Sequence, residues 1–211
     1  MLVIFPGDCY IALMAHHFEL VGGDAALDFL NTVNDWTAAE PRDYIATFPD
    51  ALRFAEAAGV VSSGEARRLA ALPARTEVRR LRDLRVRLER VLRSIQEQRS
   101  PSTDDLEALG SEAAEAARVA RLRSEKGLLK RVIDAEDAGV ATVRYRLVEG
   151  MVALLTSDRL ARVNRCPSCG WFFLDTTKNR SRRWCSMAMC GSVVKARNYY
   201  WRTKRRSKRA G

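Results

Sequence analysis

The chain has 211 residues, 47% hydrophobic and 29% charged, with a formal net charge of +10. That length suits one ordinary domain plus a small module. No run approaches the roughly 18 apolar residues that a membrane span needs, so no membrane partner is expected. The charge is unevenly placed. Residues 160–211 hold fourteen basic side chains and one acid, Asp175, whereas residues 1–159 hold 22 basic and 25 acidic groups. A near-neutral body with a cationic appendage suits a polyanionic partner, with a merely solvating basic tail as the alternative.

Residues 1–17 read as an N-terminal extension. They are apolar-leaning, but Asp8 and the lack of a basic n-region make a poor signal peptide, so a cytoplasmic protein is expected. Met14 is an equally good start. Residues 18–157 read as a helical domain. Gly22-Gly23-Asp24 is a turn and N-cap leading a helix through Leu27, Leu30 and Val33. Within it Asp28 and Asn31 stand at i,i+3 in an apolar stretch, with Trp36 beyond. They are either structural hydrogen-bonding partners, the favoured reading, or the lining of a small-molecule effector site.

Pro49-Asp50 opens a second helix, stopped by Gly59, and Ser62-Ser-Gly-Glu65 is a capping box for a third, closed by Pro73. A longer helix over residues 75–98 carries Leu81, Leu84, Leu88, Val91 and Ile95 at alternating spacings of 3 and 4. Two heptads are too few for a coiled coil, so packing within a bundle is the first reading and a homodimer seam the second. Asp83 with Arg87 and Glu89 with Arg93 are i,i+4 pairs that would neutralise part of its charge. After the break at residues 100–105 a helix runs to about Val119. A small β-hairpin follows over residues 119–133, although the same residues could extend helices. Another amphipathic helix spans residues 136–156.

Residues 158–203 form the chemically explicit part. Cys166, Cys169, Cys185 and Cys190 follow the pattern C-x2-C, fifteen residues, C-x4-C. A C-x2-C turn offers two thiolates at once, and four thiolates make a closed, structural Zn²⁺ site with one ion per chain. Two disulfides or a redox pair are the rivals; a cytoplasmic setting and the lack of a surrounding βαβ pattern weigh against them. Cys9 stands apart. Trp171, Phe172, Phe173 and Leu174 continue as a strand and supply the module's core. Cys185 stands at the N-terminus of a final helix with Ser186 as its candidate cap and Cys190 on its first turns. Knuckle, hairpin and helix describe a treble-clef-like finger, and the whole chain a mainly α fold.

Projected at 100° per residue, the last helix turns Val193 and Tyr200, with Val194 and Trp201, toward the knuckle. Lys195, Arg202, Arg206 and Arg209 line another side, flanked by Asn198, Tyr199 and Arg205. A cationic stripe beside an amide and an aromatic ring suits phosphates and base edges. Residues 204–211 read as a basic, disordered tail. No phosphate loop, HExxH or nucleophile elbow is present, so a binding protein and not an enzyme is expected.

The stretch RCPSCGWFFLDTTKNRSRRWCSM (165–187), followed by Cys190-Gly191 and Lys195-Ala-Arg, resembles the CGNR zinc-finger family of bacteria. FELVGGDAALDFLNT (18–32) resembles the opening of the helical ABATE domain that precedes such fingers. The resemblance implies a stress-induced transcription regulator with the four cysteines as zinc ligands and double-stranded DNA as partner. After Cys190-Gly191 this chain has Ser192-Val193 where the family has Asn-Arg, which removes one candidate phosphate or base contact. An RNA-binding or ribosome-associated zinc protein, and a small-molecule-binding domain or enzyme anchored by the finger, are the alternative readings.

Overall fold

A computed structural model describes residues 18–207; the extension before them, with Cys9 and Met14, and Arg209 lie outside the described residues. The fold is mainly α, with two small antiparallel hairpins. Among the described residues no helix is long and apolar enough to cross a membrane.

Helix α1 (Ala25–Leu30) starts at Asp24, whose carboxylate caps the Ala26 N–H. It stops at Asn31, a turn before the expected end at Val33. The Thr32 hydroxyl turns back onto the Phe29 carbonyl (2.6 Å), and Val33 pairs instead with Asp43 in an isolated bridge. Helix α2 (Phe48–Ala57) opens with a Thr47/Asp50 capping box and carries Pro49 in its first turn. Helix α3 (Ser63–Ala70) opens with the expected Ser62/Glu65 box. Glu65 also receives Arg146 (2.7 Å), whose hydrogen bonds pull its carboxyl down to about 2.

Helix α4 (Glu77–Gln96) buries Leu81, Leu84, Leu88 and Val91, so the heptad-like seam is filled from within the chain. Glu89 and Arg93 form their i,i+4 pair (3.0 Å), but Arg87 reaches across to Asp105 (3.0 Å) on helix α5 (Thr103–Val119) instead of Asp83. The hairpin over 119–133 forms as β1 (Arg121–Glu125) and β2 (Leu128–Val132), joined at Lys126-Gly127.

The helix expected over 136–156 is broken. Short α6 (Ala135–Ala138) ends at Gly139, whose positive φ of 53° does not suit an α-helix, and α7 (Thr142–Leu155) follows after a 3-10 turn. Helix α7 is central and packs on α1, α2, α4 and α5. Arg144 on it is buried and held by Glu77 and Glu112, cross-linking α4, α5 and α7.

Candidate metal centre and nucleic-acid interface

Strands β3 (Val163–Arg165) and β4 (Phe172–Leu174) pair antiparallel, Val163 opposite Leu174 and Arg165 opposite Phe172. The C-x2-C segment is the loop between them. Cys166 N–H donates to the Trp171 carbonyl (2.7 Å) and Gly170 N–H to the Cys166 carbonyl (2.9 Å), closing the knuckle. Gly170 has φ +72°, and a Cβ there would stand 2.9 Å from Trp36 Cβ, so both backbone and space require glycine.

The strand's two-residue period divides its apolar run. Trp171 and Phe173 pack with Cys166, Cys185 and Cys190 into a small core of their own. Phe172 and Leu174, with Val163, face the other way and belong to the core of the helical domain. The expectation that all four residues from Trp171 to Leu174 fill the finger's own core is therefore corrected: half of them are the floor on which the helices rest.

The Sγ atoms of Cys166, Cys169, Cys185 and Cys190 all lie within 4.8 Å of one another. Cys185 Sγ is 3.6 Å from both Cys169 Sγ and Cys190 Sγ. A disulfide needs about 2.05 Å, whereas a tetrahedron with Zn–S near 2.3 Å has edges of about 3.8 Å. The spacing thus matches four thiolates around one zinc and not a pair of disulfides. Cys166 and Cys185 are fully buried, Cys190 is nearly so and Cys169 is half-buried. Crowding of the four thiols divides their protons, holding Cys166 below the ordinary thiol range and pushing Cys169 and Cys185 above it. The four residues between Cys185 and Cys190 are accommodated by a π turn, Met187–Gly191, in which Cys190 and Gly191 N–H both donate to the Ser186 carbonyl (3.1 Å each). Ser186 caps it as expected, accepting from Met189 N–H (3.3 Å). The four cysteines could hold one zinc ion.

Residues 162–203 match the CGNR zinc finger, and residues 23–158 match ABATE, described as "Putative stress-induced transcription regulator". The chain belongs to the ABATE family. No curated protein matches it.

The ABATE segment and the finger are stitched together by backbone groups. The Asn31 side chain acts as a missing strand for β4: its Nδ2 donates to the Phe172 carbonyl (2.8 Å) and its Oδ1 accepts the Phe172 N–H (2.9 Å). Trp171 Nε1 donates to the Val33 carbonyl (2.7 Å), Trp36 N–H to the Cys169 carbonyl (2.9 Å) and Leu174 N–H to the Gly22 carbonyl (2.7 Å). Asp28 accepts the Gly22 N–H (2.7 Å), which steadies the residue that meets β4. Burial raises the Asp28 carboxyl from 3.8 to about 6, against the pull of the Gly22 N–H and Arg182. Asp28 and Asn31 are thus both buried and both engaged by backbone. Arg182 was not singled out in the sequence. Its guanidinium donates to the carbonyls of Val21 (2.8 Å), Leu174 (3.2 Å) and Cys185, bridging the ABATE opening to the third ligand. Its partner Val21 lies 161 residues away, and no local pattern announces it.

Helix α8 (Ser192–Ser207) leaves from the π turn. Lys195, Asn198, Tyr199 and Arg202 are exposed on it. Arg205 and Arg206, assigned to the tail by residue number, lie on its last turns. The expected packing of the other face against the knuckle is largely absent: Val193, Tyr200 and Trp201 are 62%, 50% and 47% exposed, and only Val194 is half-buried. The knuckle is already covered by Trp36 and Trp184, and α8 makes its main contacts with the π turn before it. Lys204 Nζ caps the Tyr200 and Trp201 rings (5.7 and 5.3 Å).

Proposed function

We propose that this ABATE protein is a DNA-binding transcription regulator that grips duplex DNA with α8 and catalyses nothing itself. The observation that carries this reading is where the unmatched charge lies. Over residues 1–159 acids outnumber cations, and about half of the exposed cations of the ABATE segment meet one, as in Arg121 with Asp137 or Arg131 with Glu149, while others such as Arg67, Arg75 and Arg118 do not. In the finger, Lys195, Arg197 and Arg202 are exposed with no carboxylate partner among the described residues. Asp175, the one acid of residues 160–211, is buried.

In this reading Lys195, Arg205, Arg206 and Arg209 pair with phosphates, and Asn198, Tyr199 and Arg202 reach base edges. Zinc, when bound, cross-links the knuckle to the base of α8 and leaves no open coordination position for chemistry. The ABATE domain fixes the finger through Asn31 and Trp36. Because its leucine seam is buried internally, any homodimer would use another face, and any effector would act through the joint with the finger. A cytoplasmic setting would keep the thiolates reduced.

The test is competition between a duplex DNA and a structured RNA of equal length, at matched salt, for the zinc-loaded protein. With about four to six phosphates neutralised by α8 and the residues after it, log affinity for duplex should fall against log salt with a slope of about −4 to −5 or steeper. The duplex should displace the RNA. RNA bound tenfold more tightly than duplex, or binding indifferent to salt, would overturn the assignment.

A further inference from the structure

The finger carries a second cationic element that the reading of α8 does not use: the loop between β4 and Cys185. Its two ends are fixed from inside. Asp175 is fully buried, and its Oδ1 accepts the Thr177 N–H and hydroxyl (2.8 and 2.6 Å) while Oδ2 accepts the Arg182 N–H (2.9 Å). Thr177 Oγ1 in turn accepts the Ser181 N–H (2.9 Å), and Arg162 donates to the carbonyls of Asp175 (3.2 Å) and Thr177 (3.3 Å). The Arg180 N–H turns back to the Thr177 carbonyl (3.3 Å), leaving Arg180 at φ +50°. With the loop's one acid drawn inward, the exposed residues include Lys178, Asn179, Arg180 and Arg183.

Lys178, Arg180 and Arg183 have no carboxylate partner among the described residues. The comparison within the same molecule is the β1–β2 hairpin, which is equally exposed and equally basic. There four of the five cations are matched, Arg121 to Asp137 (2.8 Å), Arg123 to Asp134 (2.6 Å), Lys130 to Glu125 (2.6 Å) and Arg131 to Glu149 (2.7 Å), and only Lys126 at the turn has no carboxylate partner among the described residues. Most of the hairpin's charge is thus neutralised by acids of the same chain; none of the zinc loop's exposed charge is met by an acid among the described residues.

We infer that the Lys178–Arg183 loop is a phosphate-binding element, contacting the sugar-phosphate backbone of the same nucleic acid that α8 engages. This rests on the DNA-binding reading of the finger and extends it. The loop leads into Cys185 and α8 departs from Gly191, so the two cationic elements flank one ligand turn, Met187–Gly191. Its contacts are to phosphate and carry no sequence information: a lysine point charge, two guanidiniums and the Asn179 amide suit phosphate oxygens, and the loop contributes no helix or strand that could enter a groove.

The experiment uses full-length, zinc-loaded protein and three variants, K178A/R180A/R183A, K195A/R202A and the charge-matched control R121A/R123A/R131A, each titrated with one duplex DNA across a salt series. Loss of three phosphate contacts should make the slope shallower by about 2 to 3 and weaken binding on the order of tenfold to a hundredfold near 0.15 M salt. The loss should be equal on unrelated duplexes, with zinc content and thermal unfolding unchanged. The control should keep the wild-type slope. Wild-type affinity and slope in the loop variant, alongside weakened binding by K195A/R202A, would overturn the inference and leave α8 as the interface. Equal losses in the loop variant and the control would overturn it too, because net charge would then explain both. No salt-dependent binding by the wild type would remove the inference together with the DNA-binding reading.

Discussion

Replacing Asn31 with Ala should destabilise the whole protein, not just the joint where it sits. The Asn31 amide satisfies both backbone groups on the open edge of β4 at Phe172, at 2.8 and 2.9 Å, and is itself buried. Alanine would leave one N–H and one C=O without partners in a dry interior. Each unsatisfied group costs about 1–3 kcal/mol, so a loss of about 2–5 kcal/mol is expected. That is a large fraction of the roughly 5–15 kcal/mol of an ordinary domain. Because Phe172 and Leu174 belong to the helical core, the finger and the helices should lose structure together. Urea unfolding followed by helical circular dichroism and by release of zinc to a coloured chelator measures both halves. Coincident transitions, displaced to lower urea in N31A, are expected. A cost below about 0.5 kcal/mol, or zinc release well before the helical transition, would refute the shared core.

Asp28 gives a pH-dependent counterpart. Its folded value of about 6 lies above its ordinary 3.8, so between these pH values the folded chain keeps a proton that the unfolded chain gives up. The contribution favours folding below about pH 4 and is lost as pH rises through 6. Asp28→Asn, which retains an oxygen for the Gly22 N–H, should therefore exceed wild-type stability by about 1–3 kcal/mol at pH 8, and the two should converge near pH 4; denaturant midpoints at both pH values check this. Gly170→Ala would force a Cβ to within 2.9 Å of Trp36 Cβ at a φ of +72°. A left-handed alanine alone costs about 1–2 kcal/mol, so zinc transfer to a competing chelator should become easier by about tenfold.

What could be foreseen from the sequence follows from the range of the forces involved. The ligand pattern at Cys166, Cys169, Cys185 and Cys190 was legible because a metal tetrahedron imposes spacing on neighbouring residues. The Ser62/Glu65 box and the 119–133 hairpin were legible for the same local reason. The apolar run Trp171–Leu174 identified a strand but not what lies behind each face, so the expectation places Phe172 and Leu174 in the wrong core. The partner of Asn31 stands 141 residues away, and the amide's role as a substitute strand has no sequence signature. On α8, periodicity sorted Lys195 and Arg202 from Val193 and Tyr200. It could not indicate that the helix leaves a π turn with both faces toward solvent. The exposed loop cations were visible as letters, but only the inward turn of Asp175 shows that no acid among the described residues answers them.

The central claim is that zinc organises a DNA-binding surface, and the most direct measurement is duplex affinity before and after removal of the metal from one preparation. Elemental analysis should give about one zinc per chain, and strong chelation should abolish salt-dependent duplex binding, because α8 is tied to the body chiefly through Cys185, Cys190 and the π turn. Restoring equimolar Zn²⁺ should restore the original affinity and slope. Metal-free protein that binds duplex with unchanged affinity across the salt series would contradict the account.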